Sequence, residues 1–328
     1  MARKLPDRNL ALELCRGTEA AAIAAARMMG RGDKSAVQTA AVTAMRSMLS
    51  TVHMDGEIVI GEGPNDVTPL LYSGEHIGTG GDVQLDIAVN SIDGARPTAL
   101  GIGGVISVIA GSPRGTMFNP KSVLYMDKIV VGPEAKDVID IEASVADNIR
   151  RVAGAKKKAI RDMTVVVLNR PRHDKLIAEI RSVGARIKLI PDGDVAGSML
   201  TCQVERGADI LMGIGGTSEA IITACAIKSL GGGMQGKLWV KDDEQLHKAV
   251  DAGVDLNQVL TADDLVTSDD VFFAATGVTD GDFLDGVRYE GHHAYTSSVV
   301  MRSKSGTIRY IQATHSQRKL DMIAGLNY

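Results

Sequence analysis

Residues 163–200 read MTVVVLNRPRHDKLIAEIRSVGARIKLIPDGDVAGSML. Met163–Leu168 is a short apolar run of strand type, Asp174–Val183 has helical spacing, and Ala185–Ile190 is again extended. The pattern continues with a short helix at Val195–Cys202, a strand at Ala208–Gly213 and a helix at Ser218–Leu230. Such alternation predicts an α/β fold, a mostly parallel sheet covered on both faces by helices. In sheets of this kind ligands gather beyond the carboxyl ends of the strands.

Working outward toward the N-terminus, residues 9–29 form an alanine-rich helical pattern that ends at Gly30-Arg31-Gly32-Asp33-Lys34. Asp33 is placed to cap the next helix, whose apolar residues Ala41, Val42, Met45, Met48, Leu49 and Val52 fall on one stripe. Gln38 shares that stripe, and a polar side chain there is either a satisfied core amide or part of a site. Strands are expected at Glu57–Ile60 and Leu85–Val89, each running into a turn rich in glycine and carboxylates. Segments 101–110 and 123–132 also read as extended, and 143–153 as a helix. The basic stretch Lys156-Lys157-Lys158 suggests dividing the chain into residues 1–158 and 159–328.

Composition narrows the function. Of 328 residues 45% are apolar but only 3% aromatic, so the core must be built from Ala, Val, Ile, Leu and Met. With 36 Lys+Arg against 40 Asp+Glu the net charge is −4, which gives no basic excess for nucleic acid. No apolar run is long enough to span a membrane. Cys15, Cys202 and Cys225 are separated and form no metal knuckle, which suits a reducing, cytoplasmic setting. They read as small core residues. His292-His293 has no companion ligand at metal spacing and reads as a surface turn.

Collecting residues at strand carboxyl ends gives Glu62, then Asn90 and Asp93, then Arg170, Arg172 and His173. Asp192 and Asp194 follow, and finally Gly215, Gly216 and Glu219. Acidic oxygens are the natural ligands of Mg²⁺ and Mn²⁺. Arginines and glycine-rich helix starts bind phosphate. Asp, Asn and Gly also favour turns for purely structural reasons, but the set as a whole points to metal-assisted chemistry on a phosphorylated small molecule.

The segments Val59-Ile-Gly-Glu-Gly63 and Asn90-Ser-Ile-Asp-Gly-Ala95 resemble the metal-cupping turns of the lithium-sensitive phosphatase superfamily, whose hallmark is Asp-Pro-Ile-Asp-Gly-Thr. With Gly30-Arg-Gly-Asp-Lys34, Arg170-Pro-Arg-His173, Pro191-Asp-Gly-Asp-Val195, Gly213-Ile-Gly-Gly216, Ala274–Gly281 and Ser298–Ser305 in order, the whole chain resembles a class II fructose-1,6-bisphosphatase, nearest to the actinobacterial form. The resemblance implies a layered αβαβα sandwich, a homodimer or homotetramer, and Mg²⁺- or Mn²⁺-dependent hydrolysis of fructose 1,6-bisphosphate or sedoheptulose 1,7-bisphosphate, in gluconeogenesis. It makes residues 1–158 the metal-site half and 159–328 the sugar-phosphate half. Glu62, Asp93 and Glu219 match metal-ligand positions. Tyr125, Arg170, Arg172, His173, Asp192, Asp194 and Gly216 fall where sugar and phosphate are held.

Four positions depart from the family pattern. Gln38 stands in place of a metal-binding Asp, Asn90 in place of the first Asp of the hallmark, Ala95 in place of its Thr, and Pro64 in place of an acid. Three expected carboxylates are thus neutral, and at most one well-held ion is expected. Asp66, near the Glu62 turn, remains as a candidate base beside Glu62 and Asp93. Two readings stay open: a phosphatase with altered ligands, or a paralogue that binds a sugar phosphate without normal hydrolysis.

Overall fold

The computed structural model describes residues 9–63, 69–120, 123–203 and 207–316. It opens with α1 (Ala11–Ala26) and α2 (Lys34–Leu49). Asp33 caps α2 as the sequence predicts, its carboxylate accepting the Ala36 N–H at 2.9 Å. The next elements are β1 (Asp55–Ile60), β2 (His76–Ile77), β3 (Gln84–Asp93), α3 (Ala95–Ala99) and β4 (Ile106–Pro113). The chain then crosses to a second sheet through β5 (Tyr125–Val131), α4 (Val145–Ala155), β6 (Thr164–Leu168), α5 (Asp174–Val183), β7 (Arg186–Ile190) and α6 (Asp194–Leu200). That sheet is completed by β8 (Ile210–Gly216), α7 (Thr217–Leu230), β9 (Gly233–Trp239), α8 (Asp243–Asp251), β10 (Leu260–Thr261) and α9 (Ala262–Leu265). The strands β11 (Phe272–Gly277), β12 (Arg288–Glu290), β13 (His293–Arg302) and β14 (Thr307–Ser316) return to the first sheet.

The first sheet has the order β12-β13-β11-β4-β3-β1-β2, with β14 along β13; the second is β10-β9-β5-β8-β6-β7. The expected mostly parallel sheet is corrected here. Parallel pairing is confined to β7-β6-β8 in the second sheet and to β1-β3 in the first. The reason is that β5 enters from the first sheet before the strand–helix alternation begins. It lies antiparallel between β8 and β9.

Three apolar layers hold the sheets and helices together. Leu14, Ala21, Ala25, Val42, Met45 and Leu49 from α1 and α2 bury against Ile58, Ile87 and Ile109 of the first sheet. Between the sheets, Ile221, Ala224, Cys225 and Ile227 of α7 join Met199 of α6, Val108 and Phe273 on one side and Met126 and Val130 on the other. Ile149, Val152, Ile177 and Ile180 of α4 and α5 cover the outer face of the second sheet over Ile129, Val165 and Val167. The architecture is therefore an αβαβα sandwich. Alanine-faced helices let helix and sheet backbones approach closely, which is how a chain so poor in aromatics fills its interior. The second sheet draws on residues 125–261, so the line at 158/159 passes between α4, which packs on it, and β6, one of its strands. No helix among the described residues is long and apolar enough to cross a membrane.

Candidate active site

β3 does not run straight to its end. Its register against β4 shifts between Asn90 and Asp93, so two residues that a regular strand would point to opposite faces meet on one. The Asn90 amide nitrogen lies 3.3 Å from Asp93 Oδ1 and 3.3 Å from Glu219 Oε1, the latter in the first turn of α7. Glycines make room for these carboxylates. A Cβ on Gly216 would lie 1.8 Å from Glu219 Oε2, and one on Gly193 would lie 2.9 Å from the Asp93 carbonyl oxygen. Burial, reinforced by neighbouring carboxylates, pushes the Asp93 carboxyl well above its ordinary range, and burial also raises that of Glu219. Asp93 Oδ2 is buried and has no hydrogen-bond partner among the described residues.

Glu62, just past β1, is differently placed. Its Oε2 accepts from Gln38 Nε2 at 2.6 Å and its Oε1 from the Ser91 N–H at 2.7 Å. Burial raises its pKa, and these hydrogen bonds pull the other way. Gln38 is thus a satisfied amide and a site neighbour at once. Ala95 is buried as the first residue of α3. Pro64 and Asp66 lie outside the described residues.

Opposite Asp93 and Glu219 stand the basic residues. The Arg172 guanidinium lies over the Tyr125 ring, 5.5 Å from its centroid, and donates through Nε and Nη2 to the Ile214 carbonyl at 3.1 and 2.7 Å. Arg170 is tied to Asp192 Oδ1 at 3.0 Å and to the Pro191 carbonyl at 2.6 Å. Trp239 meets Tyr125 edge-on at 5.9 Å. The resulting cleft of about 250 Å³ is lined by Asp93, Tyr125, Arg170, Arg172, Asp192, Gly193, Asp194, Gly216 and Glu219, among others. Carboxylates and guanidinium groups from several strand ends therefore line one space.

His173 is next to this cleft but not among its lining residues. It is 2% exposed, its Nδ1 is 2.8 Å from the Leu168 carbonyl, and its Nε2 accepts the Ile214 N–H at 2.8 Å. Burial holds its pKa below the usual histidine value, so the neutral ring with the proton on Nδ1 satisfies both contacts. Its role in this geometry is to pin the Arg170–Arg172 turn to β8. Gly213 at φ +123° admits the imidazole, since a Cβ there would lie 2.9 Å from Nε2.

The sequence reading missed Lys128. On β5 its ammonium is fully buried, 2.7 Å from Asp194 Oδ2. The signal was present as a lysine within the otherwise largely apolar strand Tyr125–Val131. A larger cavity of about 480 Å³ lies behind the Asp192-Gly193 turn, walled by Ile106, Leu200, Phe283 and Leu284. Its one cation, Lys188, is paired with Asp282, so it lacks the basic groups that a phosphate requires. Other candidates fall away. Burial pushes the thiols of Cys15 and Cys225 up to about 12 and that of Cys202 to about 11, so none is a thiolate nucleophile. His292 lies in the turn between β12 and β13 and His293 opens β13, both exposed.

Comparison with known proteins shows the family. Residues 8–315 match the family model described as bacterial fructose-1,6-bisphosphatase, glpX-encoded. A fructose-1,6-bisphosphatase class 2 of Haemophilus influenzae is 46% identical over 94% of this chain and 96% of its own length. A fructose-1,6-bisphosphatase 1 class 2 of Escherichia coli is 44% identical over 94% of this chain and 95% of its own. The chain belongs to the glpX-encoded, class 2 family of bacterial fructose-1,6-bisphosphatases.

Proposed function

We propose that this chain hydrolyses a phosphate monoester of a sugar bisphosphate, fructose 1,6-bisphosphate or its sedoheptulose 1,7-bisphosphate analogue, with the help of Mg²⁺ or Mn²⁺. The observation that carries this is one cleft with Arg172 on its Tyr125 and Ile214 supports along one wall and Asp93 and Glu219 along the other. Arg172 has spent two of its nitrogens on Ile214, so Nη1 remains to orient the non-reacting phosphate. Asp192 and Asp194 accept from sugar hydroxyls. Gly216 leaves the cleft floor open.

The residues present fit one divalent ion better than two. Asp93 Oδ2 is an orphaned buried carboxylate oxygen, and Glu219 is beside it, so these two would hold an ion. Both Glu62 oxygens already accept hydrogen bonds, and Gln38 supplies an N–H where the family pattern has an acid. Among the described residues no three His, Cys, Asp or Glu side chains converge to cage a metal by themselves. Substrate phosphate and water would complete the shell, as is usual for Mg²⁺. When bound, such an ion polarises the phosphoryl group and lowers the pKa of an attacking water. Glu62, through Ser91, fixes the end of β3 behind Asp93. Asp66 is the further candidate base.

The test is release of inorganic phosphate from fructose 1,6-bisphosphate with Mn²⁺ or Mg²⁺, abolished in Glu62→Gln; no release at high enzyme over hours overturns the reading. One specific observation favours a second reading, a sugar-phosphate binder that no longer hydrolyses: the Gln38 and Asn90 amides occupy the carboxylates with N–H donors. It is distinguished by thermal stabilisation with fructose 6-phosphate that is lost in Arg172→Ala, without turnover. A homodimer or homotetramer in the cytoplasm completes the proposal.

A further inference from the structure

The Lys128 ammonium is the one fully buried cation beside the described carboxylates of the cleft. Register pairs Lys128 with Gly213 on β8 and Gly236 on β9. Gly215 makes room for the ion pair: a Cβ there would lie 1.8 Å from Asp194 Oδ2 and 2.9 Å from Lys128 Nζ. The pair is held by distance rather than by angle. Neither Nζ nor either Asp194 oxygen completes a well-directed hydrogen bond among the described residues. Removing one partner from such a pair leaves an uncompensated buried charge. Asp93 lies against the turn that precedes Asp194, since a Cβ on Gly193 would lie 3.3 Å from Asp93 Oδ2. Asp93, Asp194 and Glu219 line the same cleft, and among the described residues only Asp194 is in contact with a lysine.

We infer that Lys128 is a positioning residue that sorts these carboxylates: it claims Asp194 for the sugar and leaves Asp93 and Glu219 to the metal. Without a cation of its own, Asp194 is free to turn into the metal's shell as a third anionic ligand, and the sugar loses an acceptor. The inference rests on the proposed sugar-phosphate site, but its main readout, binding of Mn²⁺ alone to the full chain, does not depend on turnover. Calorimetric titration with Mn²⁺ is expected to show about tenfold tighter binding in Lys128→Met than in the wild type, as one positive charge leaves the cluster. In the same variant the KM for fructose 1,6-bisphosphate rises more than kcat falls.

Loss of packing alone would weaken metal and sugar together. That result, or Mn²⁺ affinity unchanged, overturns the inference. Asp194→Asn keeps Lys128 and tests the same division should the lysine variant fail to fold. It is expected to retain the Mn²⁺ stoichiometry of the wild type and to raise KM; loss of an Mn²⁺ site would place Asp194 among the ligands and refute the sorting role. If the wild type releases no phosphate while Lys128→Met still tightens Mn²⁺, the hydrolysis reading fails and the sorting of carboxylates stands.

Discussion

Asn90→Asp exchanges a site amide for an acid, and its effect follows from two distances. The amide nitrogen lies 3.3 Å from an oxygen of Asp93 and 3.3 Å from one of Glu219. A carboxylate oxygen in its place repels each neighbour that is ionised by about 5 kcal/mol at an effective dielectric of about 20. Keeping the new group protonated at pH 7 costs only about 4 kcal/mol, given an ordinary aspartate pKa of about 3.9. The smaller cost wins, so the trio binds one proton more than the wild-type pair, shared among its members. The folded-state pKa is raised, so the penalty is small at acid pH and grows as pH rises above the unfolded value. Urea unfolding in chelator should place the variant about 4 kcal/mol below wild type at pH 7 and about 1.5 kcal/mol below it at pH 5. Saturating Mn²⁺ displaces the proton and should close or reverse that gap, with net proton release on binding. A gap equal at both pH values in chelator would refute the reasoning, because repulsion would then not be what the amide relieves.

Further outcomes are expected elsewhere. Glu19, on α1 under Thr296 and His315, is pushed by burial from 4.5 to about 7. Stability therefore falls as pH rises from about 4.5 to 7, and Glu19→Gln should gain up to about 3 kcal/mol over wild type at pH 8 and almost nothing at pH 4, read from paired urea curves. Because His315 is present in both proteins, the difference isolates the carboxyl. His173→Ala leaves the Ile214 N–H and the Leu168 carbonyl without their ring partner and should cost about 2–4 kcal/mol while raising KM, since Arg172 grips the same Ile214. The triple change Gln38→Asp, Asn90→Asp and Ala95→Thr should raise Mn²⁺-dependent phosphate release by about 10²-fold or more.

What the sequence disclosed of the fold is what short-range periodicity can carry. The strand–helix alternation from Met163 to Leu230 and the Asp33 cap are local signals, and the observed β6, α5, β7 and α7 follow them closely. The segment read as extended at 101–110 begins as a strand only at Ile106, because Gly101, at φ +73°, and Gly104, at φ +90°, hold the preceding turn. Partner choice is not local. Nothing near Tyr125–Val131 says that it will pair with both β8 and β9, and nothing near β11 says that the chain returns to the first sheet.

The candidate site divides in the same way. Asp93, Arg172, Asp192 and Glu219 sit at strand ends, where a reader of sequence knows to look, and they line one cleft. Lys128 lies mid-strand, and its meaning comes from Asp194 and Gly215, which only the fold sets beside it. His173 has the opposite history. Its position in Arg170-Pro-Arg-His173 suggests a ligand contact, yet both ring nitrogens are committed to backbone. Gln38 and Asn90 are informative in both views, since their neutrality is visible in sequence and the direction of their N–H groups only in space. An amide that donates to a carboxylate does part of what a cation does, at lower charge and without an open coordination position. The site thus has two unlike lobes: Glu62 is already satisfied by protein donors, while Asp93 keeps a buried oxygen unpaired among the described residues. Any ion that enters should therefore be drawn to the Asp93–Glu219 lobe first, and chemistry on the sugar phosphate must be arranged around that asymmetry.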